Sequence, residues 1–158
     1  MLRKNLKSSS TAGKSSFVIV ASEYNARFVD SMVRGAMREL KRAGAKSVEL
    51  VRVPGAYEIP VVAAAVTRRD FNRPSAVICL GVILRGETTH AAHIGEAVTN
   101  ALMHIQVGTG VPMIHEVLLL ENVQQAEKRC LSRDHNRGVE AAQTALKMAG
   151  VLRSIAST

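Results

Sequence analysis

Residues 81–90, GVILRGETTH, put two glycines, two threonines and a histidine between an apolar run and a helical pattern. The run Ala76-Val77-Ile78-Cys79-Leu80 ahead of them reads as a buried strand, and AAHIGEAVTNALMHI behind them reads as a helix. The junction of a strand's carboxyl end with a helix's amino end is where open α/β sheets bind ligands. Free backbone N–H groups and the helix dipole attract an anion there. Gly86 lets the backbone approach a ligand closely, and Thr88 and Thr89 add hydroxyl donors. His90, in or near the first helical turn, is the side chain suited to moving a proton near neutral pH. The chemistry implied is an anionic group held beside a proton shuttle.

Other chemically capable residues also follow strand patterns. Tyr24 and Asn25 follow FVIVAS (17–22), Pro54 to Glu58 follow SVELVRV (47–53), and His115 with the LLLEN segment belongs to PMIHEVLLL (112–120). In a parallel sheet such ends share one edge, so distant stretches of chain converge. Each residue also has a purely structural reading. Tyr24 and Tyr57 can cap the core, Asn25 can cap a helix, and Glu58 can complement a helix dipole. Thr88 or Thr89 can act as caps alone. Arg129, Arg133 and Arg137 read either as a solvated cationic face or as a phosphate clamp. His93 and His104 read as surface or packing residues. None of the five histidines has a partner at zinc-ligand spacing, so a metal site is rejected. No Walker or dinucleotide-binding glycine pattern is present, and Cys79 reads as a buried thiol.

The elements that must position these residues alternate along the chain. Strand patterns at 17–22, 47–53, 75–83 and 112–120 are each followed by a helical pattern, at 28–44, 58–70, from about 90 to 108 or 110, and 122–130, with a last helix at 136–155. This order predicts an α/β domain with a parallel sheet, right-handed crossovers and helices on both faces. Residues 17–158 read as one domain. Residues 1–16 read as a basic, disordered tail carrying Arg3, Lys4, Lys7 and Lys14 and no acid.

The chain has 158 residues, 47% of them hydrophobic but only 3% aromatic, which predicts a core of Val, Ile, Leu and Ala. The net charge is +8, and 17 basic against 13 acidic residues remain once the tail is set aside. No RNA-binding signature accompanies the cations, so nucleic acid is excluded as partner and an anionic small substrate is favoured. No apolar run is long enough to cross a membrane, and no secretory signal is present. Two cysteines are too few for a disulfide framework, which fits a reducing cytoplasm.

VPGAYEIP (53–60), LGVILRGETTH (80–90) and LENVQQAEKR (120–129) together resemble lumazine synthase, and the likeness extends over residues 17–155 in the family's order and spacing. The resemblance implies a flavodoxin-like, three-layer α/β/α fold with a central four-stranded parallel sheet, and an extra N-terminal strand that pairs with a neighbouring subunit. It implies condensation of 5-amino-6-(D-ribitylamino)uracil with 3,4-dihydroxy-2-butanone 4-phosphate, without metal or organic cofactor. The products would be 6,7-dimethyl-8-ribityllumazine, phosphate and water, at the penultimate step of riboflavin biosynthesis. By the same resemblance, Tyr24 stacks on the pyrimidine with Asn25 beside it. Ala56, Tyr57 and Glu58 receive the ribityl chain and ring, while Val82, Ile83 and Leu84 line the uracil. Glu87 and Thr88 present backbone N–H groups to the phosphate, and His90 transfers protons. Arg129 reaches the phosphate from a neighbouring subunit, and Arg137 falls where the family often has a lysine near the site. The family further implies a cytoplasmic homo-oligomer built from pentamers, with active sites at subunit interfaces, and association with riboflavin synthase.

Two features depart from the family pattern. His115 stands where an aromatic residue, often phenylalanine, covers the pocket from the neighbouring subunit; an imidazole can stack but can also ionise. The segment Leu131 to His135 lacks the glycines often found between the last two helices. A non-catalytic flavin- or lumazine-binding relative is the competing reading, and the presence of both His90 and Arg129 favours the enzyme.

Overall fold

The computed structural model describes residues 11–158, and β1 (Ser16–Ser22), β2 (Ser47–Val53), β3 (Ala76–Leu84) and β4 (Met113–Leu120) form one parallel sheet in the order β2-β1-β3-β4. The chain steps outward from β1 to β2 and then returns past β1 to β3. The direction therefore reverses between β1 and β3, which opens a crevice at their carboxyl ends.

Burial on both faces accounts for the unbroken apolar runs of β1 and β3. On one face Phe17, Ile19, Ala21, Ile78 and Leu80 pack under α1 (Ala26–Arg42) and α5 (Arg137–Ala156). On the other, Val18, Val20, Val77 and Cys79 pack under α2 (Ile59–Thr67) and α3 (His90–Thr109). In α1, Val29, Met32, Val33, Ala36 and Leu40 fall on one stripe and are buried, as their spacing predicts. Complete burial of a Val, Met or Leu side chain of this stripe contributes about 1.5–3 kcal/mol. The three-layer α/β/α arrangement is the one expected.

Helices α1 and α5 cross very closely. A methyl group on Gly138 would stand 2.0 Å from the Met32 carbonyl oxygen, and one on Gly35 would stand 2.8 Å from Asn136 Oδ1. Both positions need glycine for close approach rather than for an unusual backbone angle.

Two helical expectations change. The pattern at 58–70 resolves into a 3₁₀ turn (Ala56–Glu58) followed by α2, which ends at Thr67. Pro60 lies in the first turn of α2, where its missing N–H costs nothing. The pattern at 122–130 resolves into a single α-turn, α4 (Val123–Ala126), that runs into a π-helical stretch at Glu127–Leu131.

Residues 1–10 of the basic segment, and the additional N-terminal strand, lie outside the described residues. Ala12 and Ser15 are buried, and the Ala12 N–H donates to the Ala43 carbonyl at 2.8 Å. Arg153 also donates to Ser15 Oγ, so packing begins ahead of residue 17.

Candidate active site

The carboxyl ends of β1, β2 and β3 bring together most of the residues singled out from sequence. The Glu23 N–H donates to the Val53 carbonyl at 2.8 Å and the Tyr24 N–H to the Pro54 carbonyl at 3.2 Å, which ties the loop after β1 to the loop after β2. Asn25 occupies the helix-cap position of α1 but does not cap it. Its backbone is left-handed, with φ 57°, and its Nδ2 donates 2.7 Å across to the Val82 carbonyl in β3. Asparagine tolerates that backbone better than most residues. The bond spans the crevice between β1 and β3.

Tyr24 and Tyr57 present their rings to solvent at 77% and 64% exposure, so neither caps the core. Ala56 packs at the margin of the core on the α2–α3 face. The Glu58 carboxylate accepts the Gly55 N–H at 2.9 Å and closes the 3₁₀ turn. Val82 is buried, whereas Ile83 and Leu84 are half-buried where β3 runs out to the edge.

The loop between β3 and α3 begins under restraint and ends open. The Arg85 N–H donates to the Leu120 carbonyl at 2.8 Å, and its guanidinium reaches both Glu121 oxygens at 3.1 and 3.3 Å. Beyond that anchor Gly86, Glu87, Thr88 and Thr89 are all exposed, and nothing lies within 4 Å of where a Gly86 side chain would start. Among the described residues, the N–H groups of Gly86, Glu87 and Thr88 donate to no backbone carbonyl. They lie at the positive end of the 20-residue α3, an arrangement suited to binding an anion. His90 opens the helix and is exposed, with its own N–H directed at Thr88 Oγ1 at 3.4 Å.

His115 is not brought to this edge. It is the third residue of β4, opposite Cys79, and it faces α3. The Val117 N–H donates to His115 Nδ1 at 3.1 Å, so Nδ1 is unprotonated and Nε2 carries the hydrogen. Nε2 then donates to Thr99 Oγ1 at 2.8 Å, and the Thr99 hydroxyl donates to the Gly95 carbonyl at 2.8 Å. Burial lowers the imidazole pKa, in agreement with a neutral ring.

Arg129 and Arg137 also lie away from His90. Arg129 is exposed on the π stretch, whose Cys130 is buried in the core between α1 and α5, across the sheet from α3. Arg137 is held by two carboxylates, donating to Glu116 Oε2 at 2.9 Å and to Glu140 Oε2 at 2.7 Å. Burial raises the Glu116 carboxyl pKa against the opposing pull of Arg137. Glu116 escaped the sequence reading, although a carboxylate inside the strand pattern MIHEVLLL is itself a signal.

The volume of a cavity does not identify the site. An open cleft of about 670 Å³ at the opposite end of the sheet is lined by Arg68, Arg69, Arg73 and His104. Helices α2 and α3 end there, and the cations complement their carbonyl termini. Arg69 is already paired with Glu49, and Arg73 donates to the Thr109 carbonyl. Among the described residues no group of histidine, cysteine, aspartate or glutamate is arranged to hold a metal ion, and no helix is long and apolar enough to cross a membrane.

Residues 14–153 match the family model described as 6,7-dimethyl-8-ribityllumazine synthase. A protein of that name from Xylella fastidiosa is 40% identical over 141 residues, covering 88% of this chain and 90% of the relative. One from Xanthomonas campestris pv. campestris is 39% identical over 138 residues, covering 86% and 88%. One from Xanthomonas oryzae pv. oryzae is 38% identical over 138 residues with the same coverage.

Proposed function

The chain belongs to the 6,7-dimethyl-8-ribityllumazine synthase family and condenses 5-amino-6-(D-ribitylamino)uracil with 3,4-dihydroxy-2-butanone 4-phosphate, and from that premise we propose how its residues divide the work. Tyr24 stacks on the pyrimidine, Asn25 rests beside it, and Val82, Ile83 and Leu84 line the ring. Ala56, Tyr57 and Glu58 receive the ribityl chain. The N–H groups of Glu87 and Thr88 take the phosphate, helped by Arg129 of a second copy. The uracil amine attacks the ketone and water leaves as the Schiff base forms. His90 removes the proton whose loss expels phosphate, and ring closure then releases the second water. Proton transfer by a positioned side chain contributes about 10²–10⁴-fold. Much of the remaining acceleration comes from holding two reactants in register.

The observation that carries this reading is the exposed Gly86–Thr89 loop, whose free N–H groups open α3 immediately before His90. Arg137 is better suited to structure than to substrate, because Glu116 and Glu140 already occupy its guanidinium.

The complete site belongs to an oligomer built from pentamers. Support comes from the separation of Arg129 and His90 on opposite faces of one chain, and from the exposed apolar residues Val61, Met103 and Val107 on α2 and α3. A cytoplasmic setting accords with two buried free thiols, Cys79 and Cys130.

Mixing the purified protein with both substrates and following lumazine absorbance and fluorescence tests the assignment. Formation must exceed the spontaneous condensation and scale with enzyme concentration. Folded, oligomeric protein that gives only the spontaneous rate would move the reading to a ligand-binding relative.

A further inference from the structure

The backbone around Arg129 is fastened on both sides. Glu127, at the start of the π stretch, pairs with Arg27 of α1 at 2.9 Å. The Cys130 side chain is fully buried, and its carbonyl oxygen accepts Ser31 Oγ at 2.8 Å and Asn136 Nδ2 at 2.5 Å. Asn136 Nδ2 also reaches Ser31 Oγ at 3.2 Å, while Asn136 Oδ1 accepts the N–H groups of Gly138 at 2.9 Å and Val139 at 3.3 Å. One buried amide therefore caps α5, touches α1 and holds the π stretch.

An ordinary helix end needs less than this. Its last carbonyls lack partners within the helix, and water satisfies most of them. Here two side chains from two other helices converge on one carbonyl. Helix α1 also carries Gly35 in its interior, at the position where a side chain would strike Asn136. Glycine within a helix costs about 0.5–1 kcal/mol relative to alanine, so α1 gives up stability to seat that amide. Between the two anchors Lys128 and Arg129 point to solvent, and π insertions of this kind recur at functional sites.

We propose that Ser31 and Asn136 are positioning residues for Arg129: by fixing the Cys130 carbonyl they set where the guanidinium is presented to the phosphate group of the substrate. This inference rests on the assignment of Arg129 to the phosphate.

The test uses the full-length enzyme, with inorganic phosphate as a competitive probe. Ser31→Ala removes one bond to the carbonyl, and it should raise the phosphate inhibition constant and the KM for the phosphate-bearing substrate about 3–10-fold, the effect of one net hydrogen bond. The KM for the aminouracil should not move. Ser31→Thr keeps the hydroxyl and should restore both values. Asn136→Asp keeps the cap on α5 but exchanges the Nδ2 donor for an oxygen facing the Cys130 carbonyl, and should act in the same direction.

The deciding comparison repeats Ser31→Ala in an Arg129→Ala background. A positioning residue that acts through Arg129 has no further effect there. An equal rise in both backgrounds, or no rise in either, overturns the inference. If Arg129→Ala alone leaves the phosphate inhibition constant unchanged, the assignment of Arg129 fails first.

Discussion

His90 is exposed at the start of α3, and among the described residues neither packing nor a salt bridge explains a histidine there. Its replacement by alanine should leave the fold intact and lower kcat by about 10²–10⁴-fold, with residual turnover from substrate orientation. Steady-state rates beside an unchanged melting curve would establish this; complete loss with both substrates still bound would overturn it. His115 differs because its ring is locked neutral between Val117 and Thr99. Burial places its folded pKa below the ordinary 6.5, so the unfolded chain takes up the proton first. Stability from this group is fully present above pH 6.5 and is lost as pH falls toward the lowered value. The melting temperature of the wild type should therefore fall further between pH 7.5 and 5.5 than that of His115→Gln, and equal falls would contradict it. The roles of single residues were only partly legible in the sequence. Asn25 offers a helix cap to a linear reading, but its partner Val82 lies 57 positions away and meets it only because β1 and β3 pair. His115 lies inside the strand pattern at 112–120, but strand phase alone cannot say which face its ring takes.

At the scale of elements, strand and helix positions were legible because both faces of the sheet are covered. Continuous apolar runs and a 3.6-residue stripe are then distinct patterns. The 3₁₀ turn at Ala56–Glu58 and the π stretch at Glu127–Leu131 were not legible, since both use side chains that an α-helix accepts equally well. The turn is set locally, where Glu58 folds back on Gly55, and the π stretch by packing, where two side chains draw in the Cys130 carbonyl. The α1–α5 crossing likewise cannot be seen in a pattern of apolar residues, because it depends on Gly138 lying against the Met32 carbonyl. Gly138→Ala improves helix propensity by about 1 kcal/mol. It nevertheless should destabilise the protein by about 3 kcal/mol, since the obstacle is backbone and the two helices must separate. In a chain of this size that lowers the melting temperature by about 6–12 °C. A scanning calorimetry trace unchanged or raised by the substitution would show that the crossing can relax.

The whole molecule poses the question that one chain cannot answer by itself. His90 opens α3 on one face of the sheet, while the Arg129 stretch packs with α1 and α5 on the other. Under the proposed division of roles, a second copy supplies the missing half. The strands' alternation revealed the layers, but no periodicity within a chain encodes which outer face meets another chain. Complementation between variants tests the division directly. His90→Ala and Arg129→Ala oligomers each carry one damaged half in every site and should be slow. When the two chains are co-expressed in equal amounts, a site that takes His90 from one subunit and Arg129 from its neighbour is intact whenever those two happen to be the undamaged copies. Random mixing makes about one site in four intact, so hybrid oligomers should recover about a quarter of wild-type kcat with wild-type KM. If both residues served the site from the same chain, every site would remain damaged and the hybrids would be no faster than the mean of the parents. Activity that appears only on co-assembly, and not on mixing preformed oligomers, would locate the catalytic unit at the boundary between chains.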